Sequence, residues 1–450
     1  MLRILYSCSI VFEPLLFFVL FDRSFLGITG NLSRILQIIV VFVLLLRLLI
    51  KLSKGREVRL TNFTSPVYNY LALYFLLLIF SGLIALATGA YYLPEEYQQG
   101  EVLSEFSALI NSLEIRPLFE YIITTYLIIY FVILPKYLLN NRKDITTFLT
   151  IFKFMFVVSL IIGFIDYYFL ALFDVTLVPR HINDGIDVGL RYHGLAGEPR
   201  QATLYLVLGL AILHLKSFFE GEKLSKWWIG LIIIALLLTQ STSGLLGCLA
   251  FLGLYLSFNL FNAKHFFAML FVILLTIFSV YMLLINSDRV VNYIDSARDL
   301  WFILESGGTF PYLMKVQADN IYPLYDLTVK FREFDFIPIL IGSGLGSASI
   351  VNNIYAEVVF GTSNPNSQLV RLLYESGLIG SFFFVMAFIR PVKYLSKGLH
   401  SAHRHQFLIY VLLVLGFSLG IRSPVIYIYL GVFIAAFSVL SIETKDRYTV

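Results

Sequence analysis

The sequence predicts an all-α, polytopic membrane protein with about twelve transmembrane helices. Three observations carry that reading. Hydrophobic residues make up 58% of the 450-residue chain, and its mean hydropathy is +0.82. Charged residues make up only 14%, against roughly 25% in soluble domains. A soluble chain this apolar would expose large patches and precipitate. Finally, apolar runs close to the roughly 20 residues that cross a hydrocarbon core recur from one end to the other.

Twelve such runs follow in order: 6–21, 33–51, 67–91, 118–138, 146–171, 201–218, 227–240, 242–259, 264–285, 367–391, 404–421 and 423–442. No small-residue cleavage site follows the first, so it reads as a retained span. The seventh and eighth are short and nearly contiguous, divided by "TQSTSG" at Thr239 to Gly244. They are either two tight spans or a broken pair. Cys8 and Cys248 both sit in apolar runs without CxxC spacing, which disfavours a disulfide framework or a thiolate metal site.

Lysines and arginines set the expected orientation. They gather in the second connection (Lys51, Lys54, Arg56, Arg59) and the fourth (Lys136, Arg142, Lys143). The sixth (Lys216, Lys223, Lys226) and the tenth (Arg390, Lys393, Lys397, Arg404) follow suit. The third carries Glu95, Glu96, Glu101, Glu105 and Glu114 against one arginine, Arg116. This alternation puts both termini in the cytoplasm, with one integral membrane domain over 1–450 and no internal repeat. The long connections fall outside, at 92–117, 172–200 and 286–366. The last lies between spans nine and ten and is expected to be a partly helical lid. Structureless loops beyond about 12–15 residues are uncommon and usually functional, so the working face is predicted to lie outside the cytoplasm, which in a bacterium of the family named below is the periplasm.

Ionisable groups at membrane depth cost roughly 2.5–3.5 kcal/mol each on insertion scales and mark functional candidates. Arg47, His214 and Lys216 lie near span ends, where snorkelling explains them; Lys153 is deeper and reads as structural. Arg371 and Glu375 are four apart in "NPNSQLVRLLYESGLIG" (364–380) and so share a helical face, either as a self-neutralising pair or as working groups.

The densest cluster is "RYHGLAGEPRQATLYL" (191–206). Arg191, His193, Glu198 and Arg200 stand at the outer mouth of the sixth span, with Arg180 and His181 upstream. Pro199 suits a first helical turn, and Gly194 and Gly197 let the backbone bend close to a ligand. Helix N–H groups beside guanidinium forks form an anion site that matches phosphate oxygens; headgroup contact is the simpler alternative. "IGSGLGSAS" (341–349) has three spaced glycines but lacks the strand–helix context of a dinucleotide fingerprint. No metal-ligand motif occurs.

Three segments resemble the family of bacterial O-antigen polymerases and O-antigen ligases. "RYHGLAGEPRQA" is the first, and "LIGSGLGS" followed by "PNSQLVRLLYESGLIG" is the second. "LLLTQSTSGLLG" (236–247) is similar to the family's Thr-x-Ser segment between two spans. The similarity covers about residues 190 to 385, together with the span count and the large late loop. Pro365 precedes Asn366 where ligases commonly carry a histidine, and this departure favours a polymerase.

The resemblance implies a metal-independent, GT-C-like membrane glycosyltransferase without a cofactor. Donor and acceptor would be oligosaccharides linked to undecaprenyl pyrophosphate. Arg191 and Arg200, supported by Arg180 and Arg371, would hold the pyrophosphate, and Asn366 would bond sugar or phosphate. His193, Glu198 or Glu375 would take the hydroxyl proton. Membrane lipids, a chain-length regulator and a flippase are the expected partners, and nucleic acid is not. The rival expectations are a ligase and a twelve-span secondary transporter or flippase.

Overall fold

The computed structural model describes residues 1–15, 32–54, 66–87, 116–178, 190–221, 226–239, 318–348, 351, 367–420 and 425–448. Among these described residues 88% are helical and none lies in a strand. Helix α1 spans Leu2–Val11, α2 Leu32–Ser53, and a 3₁₀ turn at Pro66–Tyr68 leads into α3 (Asn69–Ala87). Helix α4 (Arg116–Leu127) runs through a π-helical stretch (Ile128–Ile133) into α5 (Leu134–Leu138). Then come α6 (Arg142–Phe173), α7 (Pro199–Glu220), α8 (Lys226–Leu238), α9 (Ala318–Arg332) and α10 (Phe336–Ile341). The last three are α11 (Gln368–Leu395), α12 (Ser401–Gly420) and α13 (Val425–Tyr448).

Among the described residues, seven helical stretches are long and apolar enough to cross a membrane. They match the runs predicted at 33–51, 67–91, 118–138, 146–171, 201–218, 367–391 and 423–442. The other runs differ. The first is helical over Leu2–Val11, where the helix stops ahead of Pro14, and residues 16–21 of that run lie outside the described residues. Helix α8 has 13 residues, and α12 opens on the polar "SAHRHQ". The runs at 242–259 and 264–285 lie outside the described residues, as does most of 286–366, of which α9 and α10 are seen.

Local chemistry explains the boundaries. Asn141 caps α6, its side chain accepting from Asp144 N, and Asp174 ends it in the left-handed region. Pro199 occupies the first turn of α7 and Gly221, at φ 71°, closes it. Helices α7 and α13 form the centre, with 83% of each apolar window buried, whereas α2 is peripheral at 11%. The outer side of α2 exposes Ile38, Phe42, Leu45 and Leu49, the pattern of a helix that faces lipid.

The π-helical stretch widens one turn, and a wide turn leaves carbonyls in search of donors. Tyr6 donates its hydroxyl to Tyr130 O at 2.8 Å, and Tyr68 donates to Val132 O at 3.4 Å. Gly431 of α13 lies against this stretch. A Cβ there would fall on the Phe131 carbonyl oxygen, far inside the 3.0 Å that real Cβ atoms keep.

Side-chain contacts fix which helix ends lie together. Arg3 of α1 pairs with Asp144 of α6, Arg142 of α6 reaches Glu443 of α13 at 2.9 Å, and Arg142 donates to Phe219 O of α7 at 2.6 Å. The starts of α1 and α6 and the ends of α7 and α13 therefore share one end of the bundle. At the opposite end Arg200, opening α7, donates to Gly420 O at the end of α12. His214 and Lys216, expected to snorkel, are instead held within the protein. Lys216 is buried in a pair with Glu220, and His214 bonds the Tyr410 hydroxyl.

Candidate functional site

The chain before α7 forms a compact turn. Tyr192 N donates to Leu238 O at 2.9 Å and Arg191 Nε to Thr239 O at 3.0 Å. These two bonds tie the turn to the end of α8, which halts at the start of "TQSTSG". The 3₁₀ turn at Gly194–Ala196 follows, and Gly194 (φ 53°) and Gly197 (φ 76°) take left-handed conformations. Glu198 is the N-cap residue of α7 by backbone geometry, with Ala202 N donating to its carbonyl. Its half-buried carboxylate makes no hydrogen bond or ion pair with the described residues. Arg200 is half-buried, its guanidinium 3.3 Å from Gly420 O.

His193 is 2% exposed. Its Nδ1 is 3.1 Å from Gly194 O, and Nε2 stands 3.2 Å from Asp166 Oδ2. Both ring nitrogens thus lie near oxygens that can only accept, and Nε2 meets Asp166 as a close charge neighbour and not as a well-aligned hydrogen bond. Asp166 Oδ1 accepts from Leu177 N (2.6 Å) and Val178 N (2.8 Å). The carboxylate therefore sews together α6, the chain after it and the turn before α7. In this arrangement His193 presents no nitrogen to an external hydroxyl, and it braces the turn that carries Arg191.

Arg371 and Glu375 do share a helical face. Arg371 Nε donates to Glu375 Oε2 at 2.7 Å, and its Nη2 donates to Glu120 Oε2 of α4 at 2.9 Å. The residues are 7% and 4% exposed. One guanidinium thus meets two carboxylates. Just beyond, Gly377 breaks α11 with φ 65°, ψ −171°, a conformation open to glycine. The break frees carbonyls that the 342–346 loop engages. Ser343 N donates to Tyr374 O at 2.8 Å and Gly344 N to Glu375 O at 3.1 Å. Ser81 Oγ also donates to Glu375 O, at 2.9 Å, and Gly346 N donates to Glu375 Oε1, at 2.9 Å. A Cβ at Gly377 would lie 2.5 Å from the Leu340 carbonyl carbon. "IGSGLGSAS" is thus a fastening for the break in α11. Beside it, Lys330 pairs with Asp326 at 2.7 Å, and Tyr374 donates to the same carboxylate at 2.6 Å.

The two motif-bearing helices begin close together. Arg200 of α7 donates to Gly420 O, and Ser367, just ahead of α11, donates to Leu419 O at 3.4 Å. Consecutive carbonyls at the end of α12 therefore hold the mouths of α7 and α11. Arg191, His193, Glu198 and Arg200 form one neighbourhood; Arg371 and Glu375 form a second, one turn and more into α11. Arg180, His181 and Asn366 lie outside the described residues. Asp166 and Glu120 are partners that the sequence reading missed. An acid inside the apolar "GFIDYYF" run was the available signal for Asp166. Glu120 sits where a span begins and looked like an ordinary end charge. Among the described residues no cluster of three or more metal-ligating side chains occurs. No family model matches the chain, and no curated protein matches it.

Proposed function

We propose that this chain is a membrane polysaccharide polymerase of the inner membrane. It would join oligosaccharide repeat units linked to undecaprenyl pyrophosphate at the periplasmic face, with both termini cytoplasmic. The observation that carries the reading is the anchoring of both motif-bearing mouths, α7 and α11, on the adjacent carbonyls Leu419 and Gly420. Two segments that resemble the O-antigen polymerase and ligase family, more than 160 residues apart, thereby share one rim.

In this reading a hydroxyl oxygen of one repeat unit attacks the anomeric carbon of the growing chain. The bond from that carbon to the pyrophosphate oxygen breaks, and undecaprenyl pyrophosphate departs. Arg191 and Arg200 stabilise the charge that develops on the leaving group. Glu198 takes the hydroxyl proton, because its carboxylate has no competing partner among the described residues, while the His193 ring is buried between Gly194 O and the Asp166 carboxylate. Arg371 and Glu375 brace the second mouth. Arg180 and Asn366 complete the substrate contacts, and no metal or other cofactor is invoked. A flippase and a chain-length regulator are the partners this role entails.

The break in α11 favours a second reading, a secondary transporter, since such proteins bind substrates at interrupted helices. Here, however, the freed carbonyls are taken up by the chain's own 342–346 loop. A deletion strain separates the readings. Single repeat units capped on the acceptor indicate a lost polymerase. Polymer stranded on the lipid carrier indicates a lost ligase, and an unchanged glycan with lost solute uptake indicates a transporter. In nanodiscs with a lipid-linked repeat unit, the wild type is expected to build a ladder that R191A and E198Q do not. Chain growth by R191A would overturn the assignment of the pyrophosphate site.

A further inference from the structure

Helices α9 and α10 belong to the long connection at 286–366, yet the corner where they meet is apolar and exposed. Phe331, Phe334, Phe336, Ile337 and Leu340 are between 44% and 78% exposed. The three phenyl rings gather at the turn, Phe331 lying 5.9 Å and Phe334 6.1 Å from Phe336. The turn is a Schellman cap, in which Phe334 N donates to Phe331 O at 3.2 Å and Asp335 N to Lys330 O at 2.9 Å. Such a cap holds its pivot residue in the left-handed region, where glycine is usual, and here the pivot is Phe334 at φ 59°. A bulky ring held outward at a position that favours glycine gains nothing from water.

Two neighbouring spans fix the depth of this corner. The 22 residues of Pro66–Ala87 make roughly 33 Å of helix, one crossing of a hydrocarbon core about 30 Å thick, so Ala87 stands at the membrane surface. Ser81 of α3, six residues or roughly 9 Å short of that end, donates to Glu375 O, the carbonyl that also accepts from Gly344 N. The end of α10 meets α11 at the same level, since Leu340 lies against Gly377 and Gly342 against Glu375 O. Just past Gly377, Leu378, Ile379 and Phe382 are exposed apolar side chains of a membrane span. Leu340 is thus exposed beside a lipid-facing surface.

Charge sets the upper limit. Arg332, Glu333 and Asp335 are interleaved with the phenyl rings and exposed. Charged groups avoid hydrocarbon, so the turn belongs at headgroup level and α10 descends from it. Its six residues cover roughly 9 Å, which is the depth that Ser81 gives for its far end. Below it residues 342–348 are all buried, as irregular backbone at membrane depth must be.

We propose that residues 331–341 form a re-entrant corner seated in the leaflet on the side of the α7 and α11 mouths. Ile337 and Leu340 rest against lipid acyl chains, and the three phenyl rings lie at the headgroup boundary. At this point the connection is a membrane element and not a lid standing in water. The inference rests on helix geometry and holds whether or not the chain is a polymerase.

Spin labels on the full chain, in vesicles of phosphatidylethanolamine and phosphatidylglycerol, test the proposal. Single cysteines E333C, I337C and L340C, with L378C as a reference on α11, are placed in a C8S/C248S background. All four labelled positions are exposed, so the label displaces no packed side chain. Relaxation by oxygen, which partitions into acyl chains, is compared with relaxation by a water-soluble nickel chelate. The oxygen-to-nickel ratio is expected to rise several-fold from E333C to I337C and again to L340C, approaching that of L378C. A ratio at I337C and L340C no higher than at E333C leaves the corner in water and overturns the proposal. So does a result in which neither reagent reaches I337C or L340C while oxygen reaches L378C, because protein then covers the corner.

Discussion

Removing the Asp166 carboxylate is expected to unfasten the turn before α7. The side chain is 2% exposed and makes two short hydrogen bonds to backbone N–H groups while facing the His193 ring at 3.2 Å. In D166A the Leu177 and Val178 N–H groups lose their acceptor and the imidazole loses its charged neighbour. Breaking a buried pair from one side costs about 3–5 kcal/mol. D166N retains an acceptor oxygen for the backbone and offers an N–H to a neutral His193, so its loss is expected to be about 1–2 kcal/mol. H193A should itself destabilise, but D166A/H193A should lose less than the sum of the single variants, with a coupling of about 1–3 kcal/mol. Equilibrium unfolding by SDS in mixed micelles, followed by tryptophan fluorescence, measures all four proteins. If the two losses add to within about 0.5 kcal/mol, Asp166 and His193 do not act as a unit and the bracing role is wrong.

Three further outcomes are expected. G431A should destabilise by about 1–3 kcal/mol, because the new methyl group meets the Phe131 carbonyl and α13 must back away from the π-helical stretch; the same unfolding titration reads it. R371Q should cost more stability than E120Q. The first substitution takes the Arg371 charge away from both Glu120 and Glu375, whereas the second leaves the Arg371–Glu375 pair intact; a smaller loss in R371Q would contradict the arrangement. His403 titrates below its ordinary 6.5, first through burial and then through the nearby His400. The unfolded chain therefore binds more protons, and stability should fall as pH drops through 6.5 and level off below the folded-state value. In anion-free detergent H403Q should flatten that slope relative to wild type, and equal slopes would show that His403 contributes nothing.

What was legible in the sequence was whatever composition alone dictates. Apolar runs such as 201–218 and 423–442 need only length to be recognised, and their helices match. Pro199 announced the start of α7 as local chemistry should. The four-residue spacing of Arg371 and Glu375 translated into a real contact, because helical periodicity fixes neighbours on one rod. Partners supplied by other rods were hidden. Glu120 lies 251 residues from Arg371, and no local pattern joins them. His193 looked like a free base because the sequence does not reveal that Gly194 O and Asp166 close on its ring. The break at Gly377 was equally veiled, since "ESGLIG" reads as ordinary helix until Leu340 crosses it.

That crossing has a mechanical consequence. A span interrupted at one residue is normally a hinge, free to bend wherever its loose carbonyls go unclaimed. In this chain the loop behind α10 grips Tyr374 and Glu375 just ahead of the joint, and Leu340 of α10 lies against Gly377 itself. The upper rod, the short helices and their loop are consequently riveted into one hatch. Within that hatch the bonds from Ser343, Gly344 and Gly346 hold loop and rod together, so it moves as a single plate, and a swing must break the Ser81 bond that ties it to α3.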